Sequence, residues 1–72
     1  MSHQGGNKME ELLIEKEVLN IEYEFKKNNY SIKEKEYYLY ARKKLAIASE
    51  NEVMLKACEI VEEKLKEQSL GL

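Results

Sequence analysis

The chain contains no proline, and no glycine interrupts it between Gly6 and Gly71. The residues in between are rich in Glu, Lys, Leu and Ala, which lose little freedom in a helix. No apolar-polar alternation bounded by turn residues marks a strand. The sequence therefore predicts an all-α fold, and the open matter is where the helices break.

A first break falls at Asn28-Asn29-Tyr30, because asparagine tolerates the left-handed conformation that ends helices. Ser31 and Glu34 follow with the spacing of a capping box, in which hydroxyl and carboxylate each satisfy an amide of the first turn. Ser49 and Glu52 repeat that spacing. Used together, the two boxes predict helices over residues 8–27, 32–48 and 50–68. These make a small antiparallel three-helix bundle, with 8–70 as one domain and 1–7 as a disordered tail. The alternative ignores the second box. Tyr40, Ile47, Asn51, Met54, Cys58, Val61 and Leu65 then share an a/d seam, interrupted by Lys44, on one continuous helix. That alternative is a helical hairpin with a long second helix, completed by dimerisation.

Periodicity assigns the faces. In the first helix Ile14, Val18, Ile21 and Phe25 form one stripe and are the expected core. Met9, Leu12, Leu19 and Tyr23 form a second stripe roughly opposite, which an ordinary surface helix does not need. In the second helix Tyr38, Ala41, Leu45 and Ala48 are the expected core, with Tyr37 at its edge. Tyr40 and Ile47 then point to the opposite side. In the third, Met54, Cys58, Val61 and Leu65 line up. The three segments are complementary in charge: residues 1–30 carry -2, residues 31–48 carry +3 and residues 49–72 carry -3.

Seventy-two residues bury a small core, and chains of this size generally need a further source of stability. A single cysteine, Cys58, allows no internal disulfide, and a lone thiol fits a reducing compartment. A single histidine, His3, leaves too few ligands for a histidine-cysteine zinc site. Helix packing and self-association are thus the expected sources. The net charge of -2 gives no general attraction to nucleic acid or anionic lipid. No apolar run approaches the ~18 residues of a membrane span, and the opening MSHQGGNK lacks the apolar stretch of a secretory leader. A cytoplasmic location follows as the expectation. The excess of lysine over arginine, with frequent Asn, Ile, Tyr and Glu, is a mix common in AT-rich bacterial or phage genomes.

Neither catalysis nor a cofactor is expected. The glutamate pairs Glu15/Glu22, Glu59/Glu62 and Glu63/Glu67 recur near helical repeats, but a di-metal bundle also needs histidines on its helices. Cys58 has no histidine base and lies on an apolar stripe, so it reads as a small core residue. Two binding functions remain. The first is a regulatory protein-protein interaction, as adaptor, inhibitor or anti-activator, by a dimeric chain whose interface uses Met9, Leu12, Leu19, Tyr23, Tyr40 and Ile47. The second is nucleic-acid binding through Lys33, Lys35, Arg42, Lys43 and Lys44 on an aromatic-rich helix.

Overall fold

The computed structural model describes the backbone of residues 3–70 and the side chains of residues 8–68. It has three helices, α1 (His3–Asn28), α2 (Ile32–Ala48) and α3 (Glu52–Leu70), and no strand among the described residues. The fold is a small three-helix bundle. α1 begins at His3, ahead of the expected start at Lys8; of the tail read over 1–7, residues 1 and 2 lie outside the described residues.

Both connections are the same device. At the end of α1 the amide of Asn29 donates to Lys26 O (3.2 Å) and that of Tyr30 to Phe25 O (3.1 Å). At the end of α2 the amide of Glu50 donates to Ile47 O (3.2 Å) and that of Asn51 to Ala46 O (2.8 Å). These nested pairs are Schellman motifs, which satisfy the last carbonyls of a helix through one left-handed residue. Asn29 (φ 55) and Glu50 (φ 56) are those residues. The motif also favours an apolar contact across it, and Tyr30 supplies one by meeting Phe25 edge-on, with centroids 6.2 Å apart.

The helix starts differ from each other. Ser31 caps α2 as expected: Glu34 N donates to Ser31 Oγ (3.3 Å), and Ser31 N donates to Glu34 Oε1 (2.8 Å). The second predicted box is not used. Ser49 instead closes α2, donating both its amide (2.9 Å) and its hydroxyl (2.8 Å) to Leu45 O. Asn51 starts α3, its Oδ1 accepting from Met54 N (3.1 Å) and its carbonyl from Leu55 N (3.1 Å). α3 therefore begins at Glu52 rather than at residue 50. With Glu50 left-handed, the continuous second arm of the hairpin alternative is also ruled out.

α3 packs on both other helices, whereas α1 and α2 touch each other only sparingly. Val18, Ile21 and Phe25 of α1 and Leu39 of α2 are buried with Ala57, Cys58, Val61 and Leu65 of α3. Ile14, Tyr30, Tyr38 and Met54 pack around them. The α1 and α3 stripes are thus the predicted ones. The α2 stripe is not. Leu39 is fully buried and Ala46 nearly so, while Ala41, Leu45 and Ala48 are exposed. Helical geometry puts the real face about a third of a turn from the predicted one. The reason is that α2 leans on α3, and the flank facing α3 includes charged residues. Lys43 is half-buried there and its ammonium meets Glu62 Oε1 at 3.1 Å. A long lysine can cover core with its stem while its head stays polar.

Two further ion pairs, Lys56–Glu10 (3.4 Å) and Lys64–Glu22 (3.1 Å), link α3 to α1. Positions rise together along the two helices, so α1 and α3 run parallel and α2 returns between them. All three pairs are partly exposed, and such pairs are worth under ~1 kcal/mol each. They align the helices more than they stabilise them.

In urea denaturation at dilution, Ile21→Ala and Leu39→Ala should each lose ~2–4 kcal/mol, because both leave a hole in a closed core. Leu45→Ala should change stability by no more than ~0.5 kcal/mol, as an exposed site does. Glu50→Gly should stabilise by ~0.5–1 kcal/mol, since glycine takes a left-handed φ without the Cβ clash. A loss of stability in that variant would show that the Glu50 side chain compensates for its backbone.

Candidate interaction surfaces

The outer side of α1 carries the first surface. Met9, Leu12, Leu19 and Tyr23 are each more than 60% exposed, although Ile21, two residues from both Leu19 and Tyr23, is fully buried. The helix therefore has a closed apolar face and an open one. Lys16 lies in the open stripe at the same spacing. Leu13, also exposed, widens it.

Tyr40 and Ile47 of α2 are exposed, as expected from their place off the packed stripe. They sit on a different helix from the α1 stripe, and those helices approach closely where Phe25 meets Tyr38 at 5.5 Å. The Nζ of Lys44 lies 5.4 Å from the Tyr40 ring centroid, an attraction of charge to the ring face.

The five basic residues do not share one face. Lys33 and Lys44 are exposed, while Lys35, Arg42 and Lys43 are half-buried. Lys35 Nζ stands 5.5 Å from the Phe25 ring centroid, and the Arg42 guanidinium stands 5.5 Å from that of Tyr38. With Lys43 paired to Glu62, three of the five are engaged inside the protein.

A third surface was hidden by the misplaced α2 face. Tyr30, Tyr37, Tyr38, Ala41 and Leu45, with the charged Lys33, Glu34 and Arg42, line a shallow groove of about 510 Å³ along α2. It runs along α2 from Tyr30 to Leu45, and Tyr38, at its margin, meets Phe25 edge-on. Arg42 Nε lies in this region, buried and without a hydrogen-bond partner. Burial raises the Tyr38 hydroxyl above its ordinary value, partly offset by the Arg42 charge.

The chemistry-bearing candidates are quiet. Cys58 is completely buried, and burial raises its thiol above the ordinary value, with Arg42 opposing. A thiol held protonated in a closed core is a poor nucleophile. No cluster of three or more potential metal ligands occurs among the described residues. No helix among them is long and apolar enough to cross a membrane. No protein family, curated protein or solved structure matches the chain.

Cys58 should resist a thiol reagent in the native chain and react at the rate of global opening. Its raised native value means that the folded state keeps the proton longer than the unfolded one. Its contribution is complete below the unfolded value and is lost as pH rises toward the native one. The thermal midpoint should therefore fall from about pH 8.5 upward, with Cys58→Ala flattening the first part of that decline and Tyr38 supplying the rest above about pH 10. A midpoint constant from about pH 8 to about pH 11 would contradict this.

Proposed function

We propose that this chain is a small regulatory interaction protein of the bacterial cytoplasm, active as a homo-oligomer, which works by covering a surface of a protein partner. Adaptor, inhibitor and anti-activator are the roles open to such a mechanism. The observation that carries the reading is the outer stripe of α1, Met9, Leu12, Leu19 and Tyr23, held open to water on a helix whose opposite side is closed. Water-soluble monomers rarely keep large contiguous apolar patches without a use for them. The 3-4 spacing of the stripe suits an amphipathic helix of the partner, laid along α1. Tyr40 and Ile47 offer a separate contact on α2.

The burial of Cys58 supports a non-enzymatic reading. Nucleic-acid binding through Lys33, Lys35, Arg42, Lys43 and Lys44 is the weaker alternative, because those cations are spread around α2 and three are engaged internally.

Leu12→Ser with Leu19→Ser tests the proposal. Helix content and thermal midpoint should stay near those of the wild type, since both sites are exposed. Affinity for a partner captured by the wild-type chain from its host should fall by ~2 kcal/mol or more, the scale of a lost anchor. Equal binding by both chains would remove the α1 stripe from the mechanism. Salt-sensitive retention on DNA would favour the alternative.

A further inference from the structure

We infer that the segment a partner protein lays on the α1 stripe is an amphipathic helix with carboxylates at one end, and that these carboxylates enter the groove between α1 and α3 at the Tyr23 end of the stripe. The inference rests on the α1 reading proposed above and names the chemistry of its occupant.

Leu19 and Tyr23 belong both to the stripe and to this groove, which has a volume of about 440 Å³. They form its exposed side, and Val61 and Leu65 its buried one. The charged lining is unequal: Lys26, Lys35 and Lys64 stand against Glu22 alone. Glu22 is already held by Lys64 at 3.1 Å, and Lys26 and Lys35 enter no ion pair among the described residues. Lys35 is half-buried with its ammonium over the Phe25 ring. A fourth cation, Lys27, stands 6.0 Å from the Tyr23 ring centroid. Neighbouring carboxylates do not answer this excess. Glu24 accepts from Asn28 Nδ2 at 3.1 Å, and Glu63 and Glu67 do not line the groove. Cations around a concave, low-dielectric site attract an anion more strongly than the same charges on an open surface.

The other end of the stripe has the opposite bias. Glu11 and Glu15 flank Leu12 there, with Lys8, and Lys16 marks the midpoint. A chain that is acidic along its whole length is therefore repelled beside Leu12. Nucleic acid and an anionic lipid surface, negative throughout, are disfavoured on the same ground and by the net charge of -2. An apolar helix with its carboxylates confined to one end suits both halves: apolar side chains over Leu12 and Leu19, acids among the lysines.

Fluorescence anisotropy of the full chain with labelled helical peptides tests this. The peptides share one leucine-lined face and differ only in the last turn at one end, which bears Glu, Gln or Lys. At low ionic strength the Glu peptide should bind about tenfold more tightly than the Gln peptide, and the Lys peptide most weakly. Lys26→Gln with Lys64→Gln should remove most of that preference, and Leu12→Ser with Leu19→Ser should weaken all of the peptides alike. If the double lysine variant loses helix content, Lys26→Glu alone decides by the same ratio. Equal binding of the Glu and Gln peptides overturns the acidic occupant and leaves the α1 stripe standing. A preference unchanged in the lysine variants overturns the groove as its seat. No binding of any peptide at millimolar concentration overturns the α1 reading and this inference together. Tighter binding to single-stranded DNA or to phosphatidylserine vesicles, lost in the lysine variants, replaces the protein partner by that anion.

Discussion

Everything in this bundle is held through α3. The buried residues of α1 and α2 meet on Ala57, Cys58, Val61 and Leu65 rather than on each other. All three inter-helix ion pairs have one end on α3. Two of the α3 core residues, Ala57 and Cys58, are small and completely buried, which lets a neighbouring helix approach closely. α1 and α2 touch each other only sparingly, and the aromatic contacts of Phe25, Tyr30 and Tyr38 join them at the connecting turn. The α2 flank that carries Tyr37, Ala41 and Leu45 is left uncovered.

That arrangement explains which parts of the fold were legible from residue order. α1 has two stripes well separated by charged positions, so the direction of Ile14, Val18, Ile21 and Phe25 was readable, and so was the exposure of the opposite stripe. The Ser31–Glu34 cap was readable because it needs only local spacing. α2 was not readable in the same way. It carries apolar residues on nearly every side: Leu39 and Ala46 inward, Tyr38 and Leu45 on one flank, Tyr40 and Ile47 on the other. Its inward face also includes Lys35, Arg42 and Lys43, which a hydrophobicity pattern counts as solvent-facing. Only contact with α3 decides its rotation. Likewise Ser49 and Asn51 are both competent caps, and the left-handed Glu50 between them gives the first to the end of α2 and the second to the start of α3.

The candidate surfaces divide along the same line. Exposure of Met9, Leu12, Leu19 and Tyr23 depends on α1 alone and could be anticipated. The groove beside Arg42 depends on how α2 is turned, and three of its lining residues, Tyr38, Ala41 and Leu45, belong to the stripe that periodicity assigns to the core. The periodicity marks an apolar flank, and Ala41, Leu45 and Ala48 on it stay exposed in the bundle. An apolar stripe specifies that something covers it, and leaves open whether that cover belongs to the same molecule.

The central place of α3 has a consequence for how the chain becomes folded. Its links to α1 join residues 46 and 42 positions apart, whereas its link to α2 spans 19. Contacts between distant residues form only after the intervening chain has given up its freedom. α1 and α2, though consecutive, share too little surface to make a stable hairpin first. The nearest thing to a local nucleus is α2 with α3, joined by the Glu50 turn, onto which α1 then docks. During synthesis from the amino terminus, the first two helices therefore emerge with no core to fold around. The apolar faces of α1 stay wetted until Cys58, Val61 and Leu65 leave the ribosome, so productive folding of the bundle is tied to the arrival of α3.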